Sequence, residues 1–273
     1  MTADAPRQDR TSTEKTSYVR RFATTRTIMA LLLREMTTRY GRSPGGYVWA
    51  LLEPIGAIMI FAVGFSLLFN TPPLGSSFIL FFATGFLPFN LYQNVSVMVA
   101  RALVFSRPLL FYPAVTWVDA VIARFTLNAL TGILVTFILF SGIILATETR
   151  TALNLIPIVQ SVALALLLGF GVGVLNCALM GLIQVWDLIW SVATRPLFLA
   201  SGVLFIFEDM PPIAQDILWF NPLVHILGIM RQGFFPLYEP HFISIPYVLF
   251  CSLVPTFFGV LLLSRYHRDI LNN

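Results

Sequence analysis

The sequence predicts an all-α polytopic membrane protein. It has six transmembrane helices, an N-terminal amphipathic helix in the interface, and a re-entrant outer helical hairpin between helices five and six. Three observations lead there. Hydrophobic residues form 57% of the 273-residue chain and charged residues only 11%, with a mean hydropathy of +0.81; ordinary soluble domains carry roughly 25% charged residues. Six apolar stretches approach the ~20 residues that a helix needs to cross the hydrocarbon. Nine of the seventeen Lys and Arg residues precede Tyr47, so the net charge of +4 marks topology and not a nucleic-acid partner.

The elements follow in order. Residues 1–21 form a polar tail rich in Thr, Asp, Arg and Ser, expected to be disordered and cytoplasmic. It lacks the apolar core of a cleavable leader. Over 22–42, Phe22, Ile28, Met29, Leu32, Leu33, Met36 and Tyr40 fall on one arc of a helical wheel. Arg26, Thr27, Ala30, Arg34, Thr37 and Thr38 fall on the other, while Leu31 and Arg39 break the pattern. Such a helix lies in the interface. Ser43-Pro44-Gly45-Gly46 then supplies a turn. Tyr47 and Trp49 have rings suited to the headgroup layer, and Glu53 is an acid near the start of a span.

The transmembrane domain occupies 47–264, with spans at about 47–69, 78–100, 115–146, 155–181, 188–207 and 243–264, and a cytoplasmic tail at 265–273. Asn70-Thr71-Pro72-Pro73, Arg101, and Glu148 with Arg150 mark the ends of the first three spans. The stretch 208–240 is moderately apolar but cut by Pro211, Pro212, Pro222 and Pro236. Its pieces are too short to span and suit a re-entrant hairpin received by protein or a water-filled cavity. The inner side collects the N-terminal basic residues, Arg101, Arg107, Arg265 and Arg268, so both termini are expected in the cytoplasm.

Catalytic patterns are scarce. No G-x-x-x-x-G-K-S/T motif is present, so the chain does not hold ATP in a P-loop. Gly169-Phe170-Gly171-Val172-Gly173 lies inside the fourth span and reads as close helix packing. His225, His241 and His267 lack metal-ligand spacing. Cys177 and Cys251 read as buried free thiols. The connection 101–113, containing Ser106, Arg107, Pro108, Leu109, Leu110, Phe111 and Tyr112, is basic, aromatic and bounded by proline. It reads either as a short interfacial helix that docks a cytoplasmic partner or as a loop resting on the membrane.

Among charges within spans, Asp119 and Arg124 are five apart, do not share a helix face, and each seeks a neighbour elsewhere. Arg195, before Pro196, is the most isolated, and such a charge needs water or an acid. Thr194, Phe198, Ser201 and Phe205 are spaced for one mixed polar and aromatic face with Arg195 at its edge. Glu53, Phe61 and Phe65 offer a similar mixture in the first span. Such walls suit a sliding sugar polymer; lipid contact or core packing is the alternative for each Phe.

The chain resembles the membrane subunit of ABC-2-type exporters, most closely the capsular polysaccharide export permeases of Gram-negative bacteria. Four stretches carry the resemblance. They are Leu33-Arg34-Glu35 through Arg39-Tyr40 with Tyr47-Val48-Trp49-Ala50-Leu51-Leu52-Glu53-Pro54; Leu110-Phe111-Tyr112-Pro113 with Asp119 and Ala123-Arg124; Arg195-Pro196-Leu197-Phe198 with Ser201-Gly202; and Asn221-Pro222-Leu223-Val224-His225 with Arg231 and Gly233-Phe234-Phe235-Pro236. The resemblance implies the ABC-2 (type V exporter) fold. It also implies a homodimer in the inner membrane bound to two copies of a separate ABC ATPase, which carries the ATP and Mg. No cofactor, metal or catalytic residue is expected in this chain, and no nucleic acid.

The implied cargo is a lipid-linked capsular polysaccharide. It would be handed to periplasmic co-polymerase-type and outer-membrane polysaccharide export proteins. Carried over residue by residue, Tyr47, Trp49, Glu53, Phe61, Phe65, Arg195, Phe198, Ser201 and Phe205 become substrate-path candidates. Asn221, His225 and Arg231 become outer-gate candidates, and 106–112 the ATPase-coupling segment. Alternatives are an ABC-2 permease for O-antigen, teichoic acid or another lipid or drug. A membrane-embedded glycan transferase and a passive channel or receptor subunit are rivals of other classes.

Overall fold

A computed structural model describes residues 23–40, 48–112, 115–147 and 153–272. The expected tail 1–21 and Gly41 to Tyr47, Pro113, Glu148 and Arg150 lie outside the described residues. Among the described residues the regular secondary structure is all helical, with no strand. Its α-helices are α1 (Ala23–Tyr40), α2 (Val48–Leu68), α3 (Phe78–Ala100), α4 (Ala102–Leu110), α5 (Trp117–Thr147), α6 (Leu155–Leu182), α7 (Trp186–Thr194), α8 (Leu197–Ala200), α9 (Pro212–Leu218), α10 (Pro222–Phe234) and α11 (Ile245–Asn272).

Among the described residues, four helices are long and apolar enough to cross a membrane: α2, α5, α6 and α11; the bent pair α9–α10 raises the number to five if it is counted as one span. α3, expected as the second span, has the length but not the uniform apolarity. It carries Asn90, Gln93 and Asn94. Those three residues line cavities, Gln93 on one side of the helix and Asn90 with Asn94 on the other. α2, α5, α6 and α10 all pack against α3, and every residue from Leu80 to Phe89 is buried. Ser77 caps its first turn by accepting from the Leu80 N–H.

α6 is the second packing axis, in contact with α3, α10 and α11. Its Gly169-Phe170-Gly171-Val172-Gly173 run makes that possible. A Cβ on Gly173 would come within 2.9 Å of the Ser96 carbonyl oxygen in α3, and one on Gly171 within 2.2 Å of the Ser252 carbonyl oxygen in α11. The glycines therefore serve close helix approach, as their place within a span indicates. Cys177 is buried and Cys251 partly so, both as free thiols.

Two elements differ from expectation. The stretch 188–207, expected as one span, is broken into α7 and α8 followed by a turn. Pro196 supplies no N–H to continue the helical ladder, and Gly202 adopts a φ of 75°, open to glycine but not to most residues. The broken segment still runs along α3. Asp187 lies beside Arg101, Phe198 beside Phe89, and Val203 beside Gly85. At the C-terminus, α11 continues to Asn272 through the expected tail 265–273, since nothing in Arg265-Tyr266-His267-Arg268 interrupts a helix.

Candidate functional site

Two of the expected path residues, Phe61 and Phe198, meet, and a third, Phe65, is linked to Phe61 through Phe82. Phe61 of α2 stacks on Phe198 of α8 with ring centroids 5.4 Å apart. Phe198 also meets Phe89 of α3 edge-on at 5.3 Å, and Phe65 lies 5.0 Å from Phe82. Phe61, Phe65 and Phe198 are all partly buried, so α2 and α8 touch through an aromatic seam laid over α3. Spacing in sequence indicated Phe61 with Phe65; the fold adds Phe198.

The charged candidates separate onto two sides of α3. A cavity of about 390 Å³ is lined by Phe89, Gln93, Arg101, Trp190, Arg195 and Phe198, among others. Arg195 is exposed, and Arg101 pairs with Asp187 at 3.5 Å on an exposed surface. A second cavity of about 430 Å³ is lined by Trp49, Glu53, Asn90, Asn94, Asn128 and Thr136, among others. Glu53 therefore does not share a wall with Phe61 and Phe65. At about 100° per residue, eight or twelve positions turn the helix away from the starting face. Asn90 and Asn94, four apart and bonded to each other at 2.6 Å, were not singled out from sequence, although that spacing in an apolar helix was their signal.

The expected face formed by Thr194, Phe198, Ser201 and Phe205 does not form, because the helix ends at Ala200. Ser201 is fully buried; its hydroxyl donates to the Leu197 carbonyl and accepts from the Asn221 amide. Phe205 lies in the turn and offers its carbonyl to Arg231.

The gate candidates are packed as connectors. Asn221 caps α10 through the Leu223 N–H and donates to the Ala200 carbonyl at 2.9 Å. Arg231, 2% exposed, donates to the carbonyls of Phe205 (2.8 Å), Gly202 (2.8 Å) and Val203 (3.2 Å), with its guanidinium 4.5 Å from the Phe81 ring. His225 is fully buried. Its Nδ1 accepts from the Ser244 N–H, which leaves Nε2 to donate to the Trp219 carbonyl at 2.9 Å. Trp219 and Tyr247 flank that ring and hold the corner between α9 and α10, where the axes bend by 102°.

At the opposite end of the bundle, the expected coupling segment forms α4 through Leu110. Ala102, Leu103 and Ser106 are buried, Leu109 and Leu110 partly so, while Val104, Arg107, Pro108, Phe111 and Tyr112 are exposed. α1 packs on α5 through its unexpected face. Leu31 and Glu35 are buried, and Met29, Leu33 and Met36 of the apolar arc remain exposed. Arg124 finds its acid there, with Nε 2.8 Å from the Glu35 carboxylate. Asp119 instead accepts from the N–H and hydroxyl of Thr116 at the start of α5. Among the described residues, no group of His, Cys, Asp and Glu is arranged to hold a metal ion.

Comparison with known proteins agrees with this architecture. The family model described as "ABC-2 type transporter" matches residues 26–235. The polysialic acid transport protein KpsM of Escherichia coli is 28% identical over 247 residues, covering 90% of this chain and 96% of KpsM. The capsule polysaccharide export inner-membrane protein CtrC of Neisseria meningitidis serogroup B is 23% identical over 257 residues, covering 94% and 97%. BexB of Haemophilus influenzae, also named a capsule polysaccharide export inner-membrane protein, is 27% identical over 249 residues, covering 90% and 92%. With its bundle of apolar helices and a family match over most of its length, the chain belongs to the ABC-2 type transporters.

Proposed function

We propose that this chain is the permease subunit of an ATP-driven exporter that moves a lipid-linked capsular polysaccharide out of the cytoplasm. The observation that carries the reading is the near end-to-end similarity to capsule export inner-membrane proteins, 90% or more of this chain and 92% or more of each relative. The chain acts as a homodimer with two copies of a separate ABC ATPase. Its termini are cytoplasmic, and periplasmic and outer-membrane export proteins receive the polymer.

The geometry supports a division of labour. The exposed Arg107, Phe111 and Tyr112 beside α4 suit docking of the ATPase. The Phe61–Phe198 seam joins the first and fifth passages, and aromatic rings give a polymer apolar faces on which sugars slide. Arg195 and Glu53 supply polar contacts in separate cavities. The hairpin α9–α10 works at the outer mouth as one unit, with Arg231, His225 and Asn221 fixing its shape. Re-entrant backbone of this kind is tolerated where protein receives it, and α10 packs on α3, α6 and α11.

Complementation tests the reading. A capsulated strain lacking its own export permease should regain surface polysaccharide when supplied with this chain and its cognate ATPase, and not with either alone. Restored surface polymer from the chain without any ATPase would contradict it, as would intracellular retention when both are present and assembled.

A further inference from the structure

Glu35 and Arg124 are 4% and 6% exposed, and their side chains meet at 2.8 Å between helices distant in sequence. Arg124 does more than pair. A second nitrogen donates to the carbonyls of Met98 at 3.2 Å and Arg101 at 3.4 Å, at the end of α3. Its guanidinium carbon lies 4.1 Å from the centroid of the Phe105 ring on α4, and the Arg34 guanidinium of α1 lies 5.6 Å from the same ring. Asn128, one turn further along α5, donates to the Arg124 carbonyl at 2.7 Å. One side chain thus touches α1, α3 and α4 while belonging to α5.

We propose that Arg124, locked by Glu35, is a positioning residue that makes α1, α4 and the adjoining ends of α3 and α5 one coupling body, so that force received at α4 reaches α1. The planar guanidinium has five donors in a fixed fork, so its partners must keep their mutual register, a constraint that a flexible ammonium does not impose. Two apolar side chains would fill the same space about as stably, because desolvation offsets most of the attraction in a buried pair. What the ionic arrangement adds is direction. Displacing α4 alone would pull Phe105 off the guanidinium, and displacing α1 alone would strip the carboxylate from it.

The inference rests on the reading that α4 receives the ATPase. Its test uses the assembled permease–ATPase complex in proteoliposomes, recording melting temperature and polymer exported per ATP hydrolysed. Glu35→Leu combined with Arg124→Met should keep the melting temperature within about 3 °C. The same variant should lower export per ATP at least about fivefold, the lower range of a coupling between sites. Retention of both stability and export per ATP would show the pair to be packing only and overturn the inference.

Should the double variant fail to assemble, Phe105→Leu decides. Phe105 is 37% exposed, so its loss spares the core. A clear fall in export per ATP at unchanged melting temperature supports the inference, and an unchanged ratio overturns it. Failure of the functional reading itself shows separately, as an unsubstituted complex that exports nothing on addition of ATP, and it removes this inference with it.

Discussion

At Arg231 a guanidinium is held by three backbone carbonyls of the turn after α8, with an aromatic ring on its face. Replacing it with Leu strands those carbonyls in an apolar setting. Arg231→Leu should cost roughly 3–5 kcal/mol, the scale for breaking buried charged contacts. The check is thermal unfolding of purified protein, and a melting temperature equal to that of the unsubstituted chain would refute the connector role. Arg195 is the opposite case, exposed beside a cavity. Arg195→Leu should leave stability within about 0.5 kcal/mol while lowering export; normal export would remove Arg195 from the path. Sequence flagged Arg124 and Arg195 as charges needing partners and Arg231 only as an outer-gate candidate implied by the resemblance, and it did not say what each arginine meets. Glu35 lies on a different element from Arg124, and the carbonyls around Arg231 converge only because the backbone turns after Ala200.

Among the elements, helix spacing along α6 was readable and the break in the expected fifth span was not. The glycine run announces close approach, because no side chain separates α6 from its neighbours at those positions. Gly171→Val places a Cβ 2.2 Å from the Ser252 carbonyl oxygen, so α11 must shift. We expect a loss of about 1–3 kcal/mol, seen as reduced melting temperature; an unchanged one would mean that α6 and α11 are not in this contact.

The stretch 188–207 read as one span despite Pro196, since a single proline only kinks many membrane helices. The turn that actually ends α8 needs Gly202 at positive φ and Arg231 from α10 to hold it. α1 shows a related limit. Glu35 and Leu31 were drawn inward by Arg124 and α5, leaving Met29, Leu33 and Met36 of the expected apolar arc exposed. At α4, Phe111→Glu with Tyr112→Glu should leave melting unchanged, as both rings are 65% exposed. The same pair should abolish stimulation of export by ATP; full export would exclude docking there.

On the scale of the whole molecule, the bundle has two different ends. One gathers α1, α4, the Arg101–Asp187 pair and the Trp117–His267 contact. The other holds the α9–α10 hairpin and the loop beginning after α2. The order of the elements was legible, since the expected apolar stretches recur in sequence as α2, α3, α5, α6 and α11, but their number as spans was not: among the described residues four helices, or five with the bent pair, are long and apolar enough to cross. Partner surfaces were less legible, since a dimer-facing apolar residue and a lipid-facing one look alike in sequence.

The most direct measurement is polymer transport into sealed vesicles that contain the reconstituted chain with its ATPase exposed to the bath. With lipid-linked capsular polysaccharide present, addition of ATP and Mg should move polymer into the lumen. Accumulation should stop when the ATPase is omitted or ATP is replaced by a non-hydrolysable analogue. Equal accumulation without ATPase or hydrolysis would contradict ATP-driven export by this permease.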